Sequence, residues 1–196
     1  MPSTTKQATV YHTYTTIPSH QKIRFALVGC GRIAQQHFAA IKQHSRRCEL
    51  VDVCDTDPTA LAAAALKTNV TGHADLLTML KATTADCIIL ATPSGLHSSQ
   101  TILTAAAGRH VITEKPMATH WTDGLAMVKA CDDAGVRLFV VKQNRRNATL
   151  QLLKKAIEQT RFGRIFMVNI NVFWSRPQTY YDTARWRGTW EFDGGA

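Results

Sequence analysis

From Lys22 onward, short apolar runs alternate with stretches in which apolar residues recur at helical spacing. Residues 23–28 predict a first strand, and residues 33–41 open a helix. Residues 50–54 predict a second strand. Asp57-Pro58 then reads as an N-cap followed by proline at the first helical position, ahead of an alanine-rich helix over 59–66. A helix over 74–81, a buried strand over 87–91 and a helix capped by Ser94 and ending near Gly108 come next. Residues 110–113 predict a strand, Thr119 is placed to cap a helix that stops at Gly135, and a strand over 136–141 closes the series. Strands that alternate with crossover helices make a parallel sheet covered on both faces, so the expected class is a doubly wound α/β fold.

Beyond Val141 the rhythm changes. Leu150, Leu152, Leu153 and Ile157 mark an amphipathic helix that Gly163 ends. Residues 165–173 predict a strand with Phe166, Val168, Ile170 and Val172 on one face and Asn169 and Asn171 on the other. One helix and one strand cannot bury a core of their own. The expected division is therefore an extension over 1–21, a nucleotide-binding domain over 22–145 and the start of a second, α+β domain over 146–196.

The composition is that of an ordinary globular chain, with 45% hydrophobic and 19% charged residues among 196. The net charge of +9 favours anionic partners. No apolar run approaches the roughly 18 residues a spanning helix needs, and the N-terminus lacks the apolar core of a secretory signal. Residues 1–21 are free of acids and rich in threonine, with no arginine before Arg24, which reads as a disordered extension rather than a transit peptide. The five cysteines are odd in number, show no C-x-x-C spacing, and Cys54 and Cys87 fall in apolar strand-like runs. A reduced, cytoplasmic protein without disulfides or a metal site is expected.

The candidate chemistry sits at the strand ends. The first strand runs into Gly29-Cys30-Gly31-Arg32-Ile33-Ala34, a G-x-G-x-x-A loop opening a helix. Gly29 permits the tight turn, Gly31 lets backbone approach a pyrophosphate, and Ala34 allows close packing of helix on strand. Asp55 follows the second strand about 20 residues on, where the dinucleotide fingerprint has its acid. A carboxylate there accepts from ribose hydroxyls and repels a 2′-phosphate, and Thr56 supplies no compensating charge, so NAD is expected over NADP. Thr92-Pro93-Ser94, with His97 one turn on, follows the third clear strand; it is either a cofactor-facing loop or simple turn chemistry. Glu114-Lys115-Pro116 follows the strand over 110–113, and two charges directly after a buried strand are either paired in a bland loop or used.

Together these residues resemble the Gfo/Idh/MocA oxidoreductase family over about 22–196. The resemblance implies that the backbone at Gly31, Arg32 and Ile33 meets the pyrophosphate of NAD and that Asp55 meets the ribose. It also implies that Thr92, Pro93, Ser94, Leu96 and His97 flank the nicotinamide half, and that Glu114 and Lys115 line the reacting centre, with Lys115 at the substrate hydroxyl. The runs 142–147 (Lys-Gln-Asn-Arg-Arg-Asn) and 186–195 (Trp-Arg-Gly-Thr-Trp-Glu-Phe-Asp-Gly-Gly) are similar to bacterial UDP-N-acetylglucosaminuronate 3-dehydrogenases of surface-polysaccharide synthesis. That likeness implies Asn144, Arg145 and Arg187 at a UDP-sugar, Trp186 and Arg187 reaching back to the cofactor, and a homo-oligomer at full length. In the family the Gly194-Gly195 pair leads into a helix with a further acid/base histidine, so a shortened chain, inactive by itself, is the expectation.

Seven of the fifteen aromatics lie between Phe173 and Phe192, interleaved with Arg176, Arg185 and Arg187. Such faces and forks suit sugar or uracil rings, carboxylates and phosphates. They also suit single-stranded nucleic acid, but no RNA-motif signature accompanies them, and no nucleic-acid partner is expected. Oxidation of a free sugar or cyclitol, and a non-catalytic dinucleotide-binding role, stand as the alternative functions.

Overall fold

A computed structural model describes residues 14–194; residues 1–13 and 195–196 lie outside the described residues, and most of the expected N-terminal extension lies with them. Strands β1 (Ile23–Val28), β2 (Cys48–Cys54), β3 (Thr71–His73), β4 (Cys87–Leu90), β5 (His110–Thr113) and β6 (Leu138–Val140) form one sheet, ordered 3-2-1-4-5-6. Every pairing is parallel. Helices α1 (Ala34–Gln43), α2 (Pro58–Thr68), α3 (Leu76–Ala82), α4 (His97–Ala106) and α5 (Trp121–Asp133) connect them. Alternate residues of one strand feed opposite faces, because successive side chains point to opposite sides. Ala26, Val28, Ile88 and Leu90 pack with Met79, Leu80, Ala105 and Cys131 in one core. Leu27, Val53 and Ile89 pack with Phe38, Ile41 and Ala64 in the other. The doubly wound expectation is met.

The order matters for the site. From β1 the chain winds outward through β2 to β3, then returns to β4 on the other side of β1. The connections leaving β1 and β4 thus diverge, which opens a crevice at the carboxyl ends of the strands.

Asp57 caps α2 as expected, its Oδ1 accepting from the Thr59 N–H at 2.8 Å. Two expected caps are corrected. Ser94 is buried within a 3₁₀ turn over Ser94–Leu96, so α4 begins only at His97 with no side-chain cap. Helix α5 begins at Trp121 with His120 at its N-cap, again without a side-chain cap, so Thr119 falls one residue short. The β3 strand was not expected; it is three residues at the sheet edge, added by register with Asp52, Val53 and Cys54. Near the start of the described residues, the Thr15 N–H donates to Gly135 O at 2.8 Å, and the Arg137 guanidinium lies 4.8 Å from the centre of the Tyr14 ring.

After β6, helix α6 (Ala148–Glu158) forms where its apolar spacing predicts, with Asn147 accepting from Thr149 N–H at 3.0 Å. The strand expected over 165–173 does not form; those residues have no regular structure and are exposed, Phe166 to 84% and Ile170 to 79%. A strand's backbone groups need a neighbouring strand, and among the described residues none lies beside this one. A short helix α7 (Gln178–Asp182) then precedes the final turns.

All five cysteines are free and buried, and burial pushes the Cys54 and Cys87 thiols up to about 12. His110, at the start of β5, accepts the Arg137 N–H on Nδ1 at 3.1 Å. Burial, with Arg137 nearby, lowers its pKa below the ordinary 6.5. The folded state therefore favours the neutral ring, and the unfolded chain takes up the proton first as pH falls. Stability is full above about pH 6.5 and falls as pH drops through that value toward the lower folded one. The expected result is a thermal midpoint that declines between pH 7 and 5.5, as followed by circular dichroism. His110→Asn keeps an acceptor without titrating and should flatten that limb; an unchanged slope would remove His110 from the account.

Candidate active site

The glycine loop is shaped by sterics. Gly29 has φ of +91°, and a Cβ on it would lie 2.7 Å from the backbone of Ala91, so this position requires glycine twice over. A Cβ on Gly31 would instead meet nothing within 4 Å: its open side faces the crevice, where a ligand's backbone approach is possible. Helix α1 starts directly behind, with no side-chain cap and no acid in its first turn; its Ala34 and Gln36 N–H groups donate to Gly31 O and Ile33 O at 3.2 and 3.0 Å, and the positive end of the helix dipole favours an anion here. Arg32 and Ile33 are exposed on this loop. Asp55 leaves β2 beside it. One carboxylate oxygen accepts from Cys30 N–H at 2.6 Å and the other from Asp57 N–H at 2.9 Å. The acid is thereby fixed against the loop while each oxygen retains a lone pair. These features fit a dinucleotide.

The loop after β4 is tied down by hydrogen bonds. His97 is 1% exposed, with Nε2 3.0 Å from Thr92 O and Nδ1 2.8 Å from Pro116 O. It clamps the β4 loop to the turn after β5. Thr92 Oγ1 donates to Gln100 at 2.6 Å, Ser94 is buried, and Pro93 and Leu96 bracket the 3₁₀ turn.

The turn after β5 separates its two charges. Glu114 is buried, 2.9 Å from His37 Nε2 of α1, and its second oxygen accepts the Lys115 N–H at 3.2 Å. Burial alone would raise its pKa, but the hydrogen bonds from His37 and from Lys115 N–H, with their charges, hold the carboxyl below its ordinary 4.5. Lys115, exposed and followed by a cis proline bond, comes next. It lines a cleft of about 590 Å³ with Lys142, Asn144, Arg145 and Lys154, among others. No acidic residue lines that cleft, although Lys154 also pairs with Glu158 at 3.3 Å. Three of the expected substrate residues, Lys115, Asn144 and Arg145, are thus brought together. The fourth, Arg187, is not: its guanidinium donates to Tyr180 O at 2.6 Å and Thr183 Oγ1 at 2.7 Å and lies over the Tyr180 ring. Trp186 is half-buried beside it.

Sequence reading missed His37, Lys154 and Gly95, and had Lys142 only as part of the run 142–147. His37 stands three residues after Ala34, one turn into the helix that leaves the glycine loop, and that spacing was the available signal. Gly95 carries the return of the aromatic-rich tail. Its N–H donates to Phe192 O at 2.9 Å, and a Cβ on it would come within 2.9 Å of Phe192 Cα and closer still to Glu191 O. Its φ is not in the left-handed region, so only this docking requires glycine there. Gly95→Ala should therefore release the 186–194 segment while sparing the sheet. Tryptic cleavage at Arg185 and Arg187 is expected to accelerate about tenfold, since local opening sets the rate. An unchanged rate in limited proteolysis would mean that the segment is held elsewhere.

Among the described residues no group of three or more His, Cys, Asp or Glu side chains is arranged to hold a metal ion, and no helix is long and apolar enough to cross a membrane. The model of the oxidoreductase family with an NAD-binding Rossmann fold matches residues 23–142. The WlbA dehydrogenase of Bordetella pertussis, solved with NADH and UDP-GlcNAcA, is 66% identical with a TM-score of 0.86, over 88% of this chain and 53% of that one. The WlbA dehydrogenase of Chromobacterium violaceum, solved with the same two ligands, is 63% identical with a TM-score of 0.86, over 95% of this chain and 53% of that one. The D-apiose dehydrogenase of Paraburkholderia graminis is 32% identical over 167 residues, 85% of this chain and 44% of that protein. The chain thus spans about half the length of these relatives.

Proposed function

The chain belongs to the Gfo/Idh/MocA family of NAD-binding oxidoreductases, and on that premise we propose that the whole protein oxidises the C3 hydroxyl of a UDP-sugar uronate, UDP-N-acetylglucosaminuronate, with NAD. The observation that carries the reading is the cleft. Lys115 opens onto it at the carboxyl end of the sheet, the end that also carries the glycine loop, among Lys142, Arg145 and Lys154, with no acid in its lining. A substrate bearing a diphosphate and a carboxylate suits that lining; a neutral sugar leaves most of the charge unused. Identity of 63–66% to two dehydrogenases solved with NADH and UDP-GlcNAcA supports the same class. The proposal extends to a cytoplasmic enzyme of surface-polysaccharide synthesis, acting as a homo-oligomer.

The backbone of Gly31, Arg32 and Ile33, with the uncapped start of α1, would hold the pyrophosphate, and Asp55 the adenosine ribose. A bound nicotinamide would supply the hydride acceptor. The remaining work falls to this chain. Arg145 and Lys142 orient the anionic substrate, and Lys115 holds the reacting hydroxyl or takes its proton. The Glu114 carboxylate is paired with His37.

The test is NADH formation by the whole protein, followed at 340 nm, with UDP-N-acetylglucosaminuronate beside free sugars and cyclitols. Turnover of the uronate is expected. If a free sugar reacts and the uronate does not, the substrate assignment fails and the family assignment stands.

A further inference from the structure

We propose that His37 is a positioning residue for Lys115, acting through Glu114. The part of this that concerns catalysis rests on the function proposed above; the part that concerns geometry does not.

At the end of β5 the backbone runs out of sheet. Glu114 N–H still donates to Leu90 O at 3.0 Å, but the next N–H, that of Lys115, goes to the Glu114 carboxylate, and Pro116 has no N–H to offer. The orientation of the Lys115 peptide therefore depends on where the Glu114 side chain is held. A buried carboxylate has to be paired, and the partner that fixes it is His37 Nε2 at 2.9 Å, 77 residues away in sequence. With Glu114 drawn inward onto α1, its neighbour is turned outward, and the Lys115 side chain enters the cleft. His97 pins the other end of the turn through Pro116 O. The helix that opens from the glycine loop thus also sets the lysine turn. One rigid element registers the dinucleotide site against the reacting group, which is the kind of placement that fixes reacting geometry.

Hydrogen exchange of the Lys115 amide, read by NMR on this chain, tests the geometry without any turnover. In His37→Ala the Lys115 N–H should exchange about tenfold faster than in the unaltered chain, while the β5 amides of Val111 and Thr113 keep their rates as folding controls. Glutamine places a donor near the position of the histidine Nε2, so His37→Gln should restore protection to within about threefold. In a Glu114→Gln background, His37→Ala should add little, because the two residues act as one unit. A Lys115 exchange rate unchanged in folded His37→Ala, or full additivity in the double variant, would overturn the proposal. In the whole protein, His37→Ala should lower kcat about 10–100-fold with the KM for NAD within about threefold, and His37→Gln should recover most of it. A kcat unmoved in folded His37→Ala also overturns the proposal. If the unaltered protein forms no NADH from the uronate, it is the function proposed above that fails, and the exchange measurement still decides the role of His37.

Discussion

Lys115→Met should lower turnover of the whole protein by about 10²–10⁴-fold, the range that a positioned acid–base group supplies. The affinity for NAD should stay within about threefold, because the glycine loop and Asp55 remain intact. Folding should be unaffected. The Lys115 side chain is exposed and makes no ion pair among the described residues, and methionine retains the aliphatic stem. Steady-state kinetics with the uronate, beside calorimetric titration of NAD, reads both quantities in one preparation. Lys115→Arg divides the role further. Arginine keeps the charge but does not release its proton near neutral pH. If Lys115 only holds the hydroxyl, Lys115→Arg should recover much of the rate; if it moves the proton, KM recovers and kcat does not. Normal turnover in Lys115→Met would reduce the residue to part of the cleft wall.

The frame of this molecule is legible in its sequence because the central strands are short apolar runs and some helices carry their own punctuation. Asp57-Pro58 opens α2 where those residues dictate, and β1 and β5 fall on the apolar runs over 23–28 and 110–113. Legibility fails where the outcome depends on a distant partner. Strand β3 is three residues whose strand character comes from pairing with β2, not from its own Thr-Gly-His pattern. The alternation over 165–173 is a genuine strand pattern, but a pattern supplies no neighbour to bond with. Ser94 and Thr119 are good capping residues, yet the fold starts α4 two residues and α5 one residue later than such caps would, so their side chains are not used as caps.

The candidate site divides in the same way. The glycine loop, Asp55 and the Glu114-Lys115-Pro116 turn are local motifs at strand ends, and they were legible as such. Asn144 and Arg145 came only through likeness to a family, since nothing in their own spacing points to Lys115. The contribution of Lys142 and Lys154 to the cleft depends on how α6 lies relative to the β5 turn. The pairing of His37 with Glu114 crosses the sheet end, and a single sequence carries no signal for it beyond the position of His37 on the first turns of α1.

Asp55 is where a sequence motif and a structural detail combine into the second large expectation. This chain should bind NAD more tightly than NADP by on the order of 100-fold. Two like charges about 4 Å apart in a protein surface environment repel by up to about 4 kcal/mol, and solvent and salt reduce that to about 2–3 kcal/mol, with each 1.4 kcal/mol worth a factor of ten. The 2′-phosphate of NADP would meet that repulsion because Asp55 cannot swing away: both of its oxygens are engaged by the N–H groups of Cys30 and Asp57. The same anchoring predicts what a swap will do. Asp55→Ser with Thr56→Arg removes the repulsion and adds a cation, so NADP should gain about tenfold or more. A serine hydroxyl cannot bridge both N–H groups, so the glycine loop loses one tether and NAD should lose about tenfold. The preference should therefore shrink to near parity or invert, through losses on one cofactor as well as gains on the other. Calorimetric titration of both cofactors into the unaltered chain and the double variant separates the two contributions. Equal affinities in the unaltered chain, or a preference for NADP, would mean that Asp55 serves only to tie β2 to the glycine loop, and the ribose would have to be held by other groups.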